Sequence, residues 1–105
     1  MFKLNQDGNV NGTCRQSEVM ASPSRLVDLF GEPEFCDGYK VSGEYIFEGE
    51  NGEVFTLYDW KSTSLYNPTY GTPPEMFWAG RKPVQFNVGG HGYAGDFVQW
   101  LKNKL

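Results

Sequence analysis

The sequence has 105 residues, which is enough for one domain with its own core and too few for two. A net charge of −4 at pH 7 argues against a general binder of double-stranded DNA, because such proteins neutralise phosphates with an excess of Lys and Arg. No apolar run approaches the ~18 residues of a transmembrane helix, and the N-terminus lacks a charged-then-apolar signal pattern. We therefore expect a cytosolic protein with no membrane partner.

The first 21 residues carry the weakest pattern in the chain. Residues 1–4 are compatible with a short strand that turns at the Asp7-Gly8 dipeptide. Residues 9–21 are polar and mixed, which indicates a loop or an irregular returning strand. The prediction is a single globular domain over residues 1–105, in which 1–21 are irregular or a short hairpin and 22–105 form the core.

A short helix is predicted between Ser22 and Gly31. Ser22 is a common N-cap residue and Pro23 suits the first helical position, while Gly31 ends the helix pattern. The apolar residues between them share one helical face: Leu26, Val27, Leu29 and Phe30. A helix this short is stable only when packed, so this face should lie on the sheet.

Residues 53–60 form the strongest strand pattern, with β-branched and aromatic residues and no Gly or Pro inside. Alternation places Phe55, Leu57 and Asp59 on one face, and Tyr58 and Trp60 on the other. Because both faces carry large apolar groups, a central strand is favoured over an edge strand. Residues 40–48 also alternate, and the turn at 49–52 joins the two segments into a predicted antiparallel hairpin.

The last third of the chain predicts two further regular elements and one helical turn. Thr72 and the two prolines that follow it resemble a helix start, which predicts a single helical turn over residues 74–79. Residues 83–88 alternate as a strand with Gln85 and Asn87 outward, and residues 93–104 have helical spacing. The fold class is therefore α+β: a small antiparallel sheet of three to five strands with two helices packed on one face.

Aromatic residues, 16% of the chain, exceed what a minimal core requires, so some should line a surface or a cleft. Rings and cations are concentrated around the irregular segment 61–82. Rings stack on bases and cations neutralise phosphates, which makes the following residues candidate ligand contacts: Trp60, Lys61, Tyr66, Tyr70, Trp78 and Arg81. The alternative is a loop packed on the sheet edge by its own rings, with Leu65, Met76 and Phe77 as a small core.

The second candidate is the Gly89-Gly90-His91-Gly92 stretch between the last strand and the last helix. Free amides at a helix N-terminus can hold an anion, and His91 could contribute a proton to it. The alternative is a tight turn in which glycine supplies the required conformations and His91 is exposed. Asp59, on an otherwise apolar face, needs a partner, and Lys61 or the amides after Gly89 are available.

The sequence contains none of the patterns that mark a catalytic or metal centre: paired carboxylates, a nucleophile with its base, or a metal-ligand cluster. We therefore expect no enzyme, no cofactor and no metal. Cys14 and Cys36 are too far apart in sequence for the close pairs of metal sites, which favours two free, partly buried thiols over a disulfide.

Five segments carry a resemblance to known proteins: GYKVSGEY (38–45), FTLYDWK (55–61), FW (77–78), FNVGG (86–90) and FVQWL (97–101). With these segments, residues 25–105 resemble small accessory proteins of tailed bacteriophages. The resemblance implies a phage protein in the host bacterial cytoplasm. Proteins of this kind often counter host defence, either by sequestering signalling nucleotides or by blocking a defence protein.

The hypothesis that follows is a non-catalytic anti-defence protein that binds and sequesters a nucleotide immune signal, of the cyclic nucleotide or ADP-ribose type. The sequence leaves open whether this protein assembles as a homo-oligomer. The rings before residue 80 would then have to face the helix end near residue 90 across a shared hollow. The alternative is a protein-binding inhibitor of a host defence complex that uses the aromatic loop or the acidic hairpin residues: Glu44, Glu48, Glu50 and Glu53.

Overall fold

The computed structural model describes residues 2–35, 41–60, 63, 69 and 71–105, without the side chain of Phe35. The helices of these residues are α1 (Pro23–Phe30), α2 (Pro74–Trp78) and α3 (Gly95–Lys104). Their strands are β1 (Lys3–Leu4), β2 (Cys14–Ala21), β3 (Glu34–Phe35), β4 (Gly43–Glu48), β5 (Val54–Tyr58) and β6 (Val84–Gly90).

The strands form one antiparallel sheet with five positions. β2 is one edge, followed by β6, β5 and β4, and the two-residue strands β1 and β3 both pair with the outer edge of β4. β5 is thus the middle strand, as its two apolar faces indicated, and the predicted hairpin is the pair β4 and β5. The α+β class is confirmed.

Residues 14–21 correct the expectation of a loop or an irregular strand. They form β2, which pairs with β6 from Cys14 opposite Gly90 to Ala21 opposite Val84. A register shift between Arg15 and Ser17 inserts one extra residue. Such a bulge moves later side chains to the other face, so the alternation that identifies a strand is broken in the sequence.

All three helices pack on the same face of the sheet. Phe97 of α3 stacks on Phe55 of β5 with ring centroids 4.9 Å apart. Phe30 of α1 meets Phe47 of β4 edge-on at 5.0 Å, and the Trp78 ring of α2 lies 5.6 Å from that of Phe86. This face is therefore filled by interlocking aromatic rings, and it is the core of the protein.

α1 has the predicted bounds, with Ser22 at the N-cap and Pro23 at the first helical position. At its end, Gly31 has φ 83° and its N–H donates to the Val27 carbonyl, which is the glycine stop that the sequence predicted. The predicted turn at 74–79 is α2. In the described part of the chain, no helix is long and apolar enough to cross a membrane.

The stacked ring of Phe97 is the most direct test of this core. Phe97→Ala should lower the free energy of unfolding by about 3–5 kcal/mol, because it removes a fully buried ring and leaves a cavity. Urea denaturation measures the change. Tyr93→Ala is the control, since that ring is 81% exposed, and it should change stability by less than about 0.5 kcal/mol. Equal losses in the two variants would contradict this assignment of the core.

Candidate functional site

Trp78, a predicted ring contact, is part of the core instead. Only 5% of it is exposed, and its Nε1–H donates to Ser42 Oγ at 3.0 Å. The β4 backbone approaches so closely that a Cβ added to Gly43 would lie 2.7 Å from the indole. The ring faces are therefore occupied by protein, and Trp78 cannot stack on a base. Phe77 is also buried, as expected, whereas Met76 is exposed rather than part of a small core.

Asp59 anchors the end of β5 to the beginning of β4. Its Oδ1 accepts the backbone N–H groups of Ser42 and Gly43, both at 2.9 Å, and its Oδ2 accepts the Ser42 hydroxyl at 2.8 Å. These partners differ from the amides after Gly89 that the sequence suggested, and Lys61 lies outside the described residues. Burial away from water raises the pKa of Asp59 above its ordinary value, although these hydrogen bonds oppose the shift.

The predicted anion seat at Gly89 and Gly90 is not a turn. Both glycines belong to β6, between Phe55 and Thr56 of β5 on one side and Cys14 and Arg15 of β2 on the other. Backbone amides in a sheet interior face the neighbouring strands, so they are not presented to a ligand. This placement corrects the prediction: two glycines typical of turns are here strand residues.

His91 and Gly92 are exposed beyond the end of β6. The Nε2–H of His91 donates to the carbonyl oxygen of Asn11 at 2.8 Å, which ties the turn to the N-terminal loop. Beside them is a small depression of about 180 Å³ shared with Tyr93 and Glu53. His91 is therefore the exposed turn residue of the alternative interpretation.

Among the described residues, the predicted rings Trp60 and Trp78 do not share a hollow with the predicted helix end. Gly90 lies opposite Phe55 at the beginning of β5, whereas Trp60 follows its other end. Because each strand residue adds about 3.3 Å, Trp60 lies roughly 16 Å along the sheet from the His91 end. Trp60 and His91 thus belong to different surface depressions.

Arg81 lies in a third depression. Together with an edge of Trp78, it lines a cleft of about 680 Å³ between α1 and α2, which also contains Arg25 and three carboxylates. The remaining predicted contacts, Lys61, Tyr66 and Tyr70, lie outside the described residues. The predicted site is therefore divided among separate surface depressions. Of its two described aromatic residues, Trp60 lies on the surface and Trp78 is buried.

Trp60 does line a groove, on the sheet face opposite the helices. The groove has a volume of about 380 Å³ and is formed by one residue of β2, one of β5, two of β6 and the residue after Asp59: Arg15, Tyr58, Gln85, Asn87 and Trp60. One face of an antiparallel sheet commonly remains in contact with water, and here the helices do not cover this face, although Ile46 and Thr56 on it are buried. We call these five residues the open-face groove.

A hydrogen-bonded polar chain holds the groove in shape. Arg15 Nε donates to Asn87 Oδ1 at 3.2 Å. Glu18 pairs with Arg15 and accepts the Gln85 side-chain amide at 3.0 Å. Asn87 is thereby almost completely covered, although its strand position points it away from the core.

Two aromatic rings form one wall of the open-face groove. The Tyr58 and Trp60 centroids are 6.4 Å apart in an edge-to-face arrangement, and Trp60 is 45% exposed. Partial burial raises the pKa of Tyr58 above its ordinary value. Gly89 packs closely beside Tyr58. This position has no room for a side chain, because a Cβ on Gly89 would collide with Thr56 Oγ1.

The sequence contained a signal for most of the groove. Alternation predicted that Tyr58 and Trp60 share one face of their strand, and that Gln85 and Asn87 point outward from theirs. What it did not reveal was that these outward faces are adjacent, which depends on β5 pairing with β6. Arg15 was missed because it precedes the bulge of β2.

Residues for a metal are not assembled in the described part of the chain, where no group of three or more His, Cys, Asp or Glu side chains could hold an ion. Cys14 is a free and exposed thiol, not the partly buried one expected, and Cys36 lies outside the described residues. The groove offers two rings, two side-chain amides and one guanidinium, which are groups that can contact a ligand.

Comparison of the chain with models of known protein families gives no match, and comparison with curated proteins gives none either.

The buried carboxyl of Asp59 predicts a specific pH dependence. Because its pKa is raised in the folded state, its contribution to stability is complete below the ordinary pKa of about 4 and is lost as the pH rises through the folded value. Asp59→Asn cannot ionise. Its stability relative to the wild type should therefore increase between pH 3 and pH 7, by about 1.4 kcal/mol per unit of pKa shift.

Urea denaturation of both proteins across this pH range measures the difference. Ser42→Ala keeps the carboxyl but removes a hydrogen bond to its charged form, so its stability should fall more steeply with pH than that of the wild type. Parallel curves for the wild type and Asp59→Asn would contradict the raised pKa.

Proposed function

We propose that the protein binds a nucleotide-type ligand in the open-face groove without catalysing a reaction. The observation that carries the proposal is the exposed Trp60 ring next to Tyr58, on the same face as the Arg15 guanidinium. In its specific form, which the resemblance to phage accessory proteins implies, the ligand is a host immune signal that the protein sequesters in the bacterial cytoplasm.

The aromatic wall supports a base as the ligand group. Stacking of a base on an aromatic side chain contributes about 1–3 kcal/mol and tolerates different bases, because each has a π-face. Nearly half of Trp60 is exposed while Tyr58 meets it edge-on, so the indole is held in place by its neighbour. Little side-chain freedom then has to be lost when a base stacks on it.

The guanidinium supports an anionic group next to the base. Arg15 is oriented by its bond to Asn87, while about half of its side chain is exposed. Its present charged partner, Glu18, is similarly exposed, and exposed ion pairs contribute little stability. A phosphate can therefore replace Glu18 beside Arg15 at small cost, and it would gain paired, charge-assisted hydrogen bonds.

The groove also has groups for the edge of a base. The exposed Gln85 side chain carries an amide group, which can donate to and accept from a base edge, whereas Asn87 is almost completely covered. Glu18 holds the Gln85 amide, so displacement of Glu18 by a phosphate would release this amide for the ligand. Lys61, Tyr66 and Tyr70 follow Trp60 in the chain and remain predicted contacts.

For the rival function, inhibition of a host defence protein through an acidic or aromatic surface, the acidic hairpin has less support. Glu48 accepts the side-chain amide of Asn5 at 3.0 Å, and Glu53 accepts the backbone N–H of Asn51 at 2.8 Å. Both carboxylates thus hold loops of the protein itself, so fewer of their lone pairs remain for a partner.

Calorimetric titration with cyclic dinucleotides, cyclic trinucleotides and cyclic ADP-ribose isomers tests the proposal. At least one should bind, and Trp60→Ala should weaken its binding by about 5- to 150-fold, because the stacking contribution is lost. Arg15→Ala should weaken binding of the charged ligand as well.

Two matched variants locate the site. Tyr93→Ala removes an exposed ring and Arg81→Ala an exposed cation, both outside the groove, and neither should change the affinity. Binding that depends on Arg81 but not on Trp60 would move the site to the cleft between α1 and α2. No heat with any nucleotide, together with co-purification of a host defence protein, would favour the rival function.

The identity of a sequestered signal can be read from the protein itself. Mass spectrometry of small molecules released from protein purified out of signal-producing cells should detect a nucleotide in the wild type. The Trp60→Ala protein should release much less of it.

A further inference from the structure

The two edges of the sheet are built differently. The outer edge of β4 is covered by β1 and β3, each two residues long. Between them the Gln6 side chain accepts the backbone N–H of Ile46 at 2.8 Å and donates to the carbonyl of Glu44 at 3.2 Å. This edge therefore has its backbone groups satisfied within the chain.

β2 has no such cover in the described residues, where no strand pairs with its outer edge. It is eight residues long, and Met20 on it is 59% exposed. A long edge strand presents backbone donors and acceptors that another strand can pair with, and proteins usually keep such edges short or covered. Within the described residues, β1, β3 and the Gln6 side chain cover the outer edge of β4, whereas no strand covers the longer edge at β2.

The charges of β2 fit a second β2. Arg15 and Glu18 are symmetric about the peptide bond between Gln16 and Ser17. Antiparallel pairing about a two-fold axis at that bond places Arg15 of each chain directly opposite Glu18 of the other. The bulge at this point does not change the match, because both copies carry the same extra residue. Opposite charges on facing strands stabilise the pair, and like charges destabilise it.

We propose that two copies of this chain pair through β2 to form one continuous sheet. Arg15 already lines the open-face groove, so the wall of each groove continues into β2 of the second copy. The two grooves then lie side by side on one face. The second copy extends the wall of each groove, and this part of the proposal rests on the proposed function. Pairing along β2 itself requires no ligand.

Light scattering and sedimentation of the protein without ligand test this pairing. The wild type should have twice the 11.9 kDa mass of one chain. Arg15→Glu and Glu18→Arg each place like charges opposite each other at two positions, so each should weaken the dimer by about tenfold or more. An equal mixture of the two variants should recover the dimer, because each Glu then faces an Arg.

The mixture separates pairing between chains from the ion pair within one chain. Both variants lose the internal Arg15–Glu18 pair, and mixing cannot restore it. Arg81→Glu, on a different surface, should remain dimeric. A wild type that is monomeric at all concentrations, or folded variants that stay monomeric when mixed, would overturn the proposal. Because no nucleotide is present, failure of nucleotide binding would leave this result unaffected.

Discussion

Aromatic packing on one face of the sheet is the constraint on which the rest of the structure depends. Phe47, Phe55, Phe86 and Phe97 are almost completely buried there, and the helices cover them. Such rings supply most of the apolar area that a chain of this size can bury. A ligand therefore cannot enter between the helices and the sheet without unfolding the core, and binding is limited to the opposite face and the rim.

Asp59 connects this core to the open-face groove. Its carboxyl fixes the ends of β4 and β5 and, through the Ser42 hydroxyl, the indole of Trp78. Buried polar groups that are fully hydrogen-bonded specify one arrangement, because every alternative leaves donors unpaired. Trp60 is the next residue in the chain, so the direction in which its ring leaves the sheet is set by this anchor. The structural and the proposed binding roles of the segment are thus adjacent in sequence.

The sequence predicted elements whose pattern is local. The hairpin of β4 and β5 alternates regularly, and the apolar residues on both faces of β5 identified it as central. β2 was missed because its bulge interrupts the alternation. Gly89 and Gly90 were misread because paired glycines usually mark a turn, and only their strand partners show otherwise. For the site, the outward positions of Tyr58 and Gln85 were predictable, but their proximity depends on strand order, which local patterns do not contain.

Amide NMR spectra of the labelled protein, recorded while a cyclic dinucleotide is added, test most directly whether the open face is the binding face. Shifts are expected at Arg15, Tyr58 and Asn87, on three neighbouring strands, while Arg81 and His91 should remain unchanged. Shifts confined to the cleft beside Arg81, or to the turn at His91, would contradict binding at the open face.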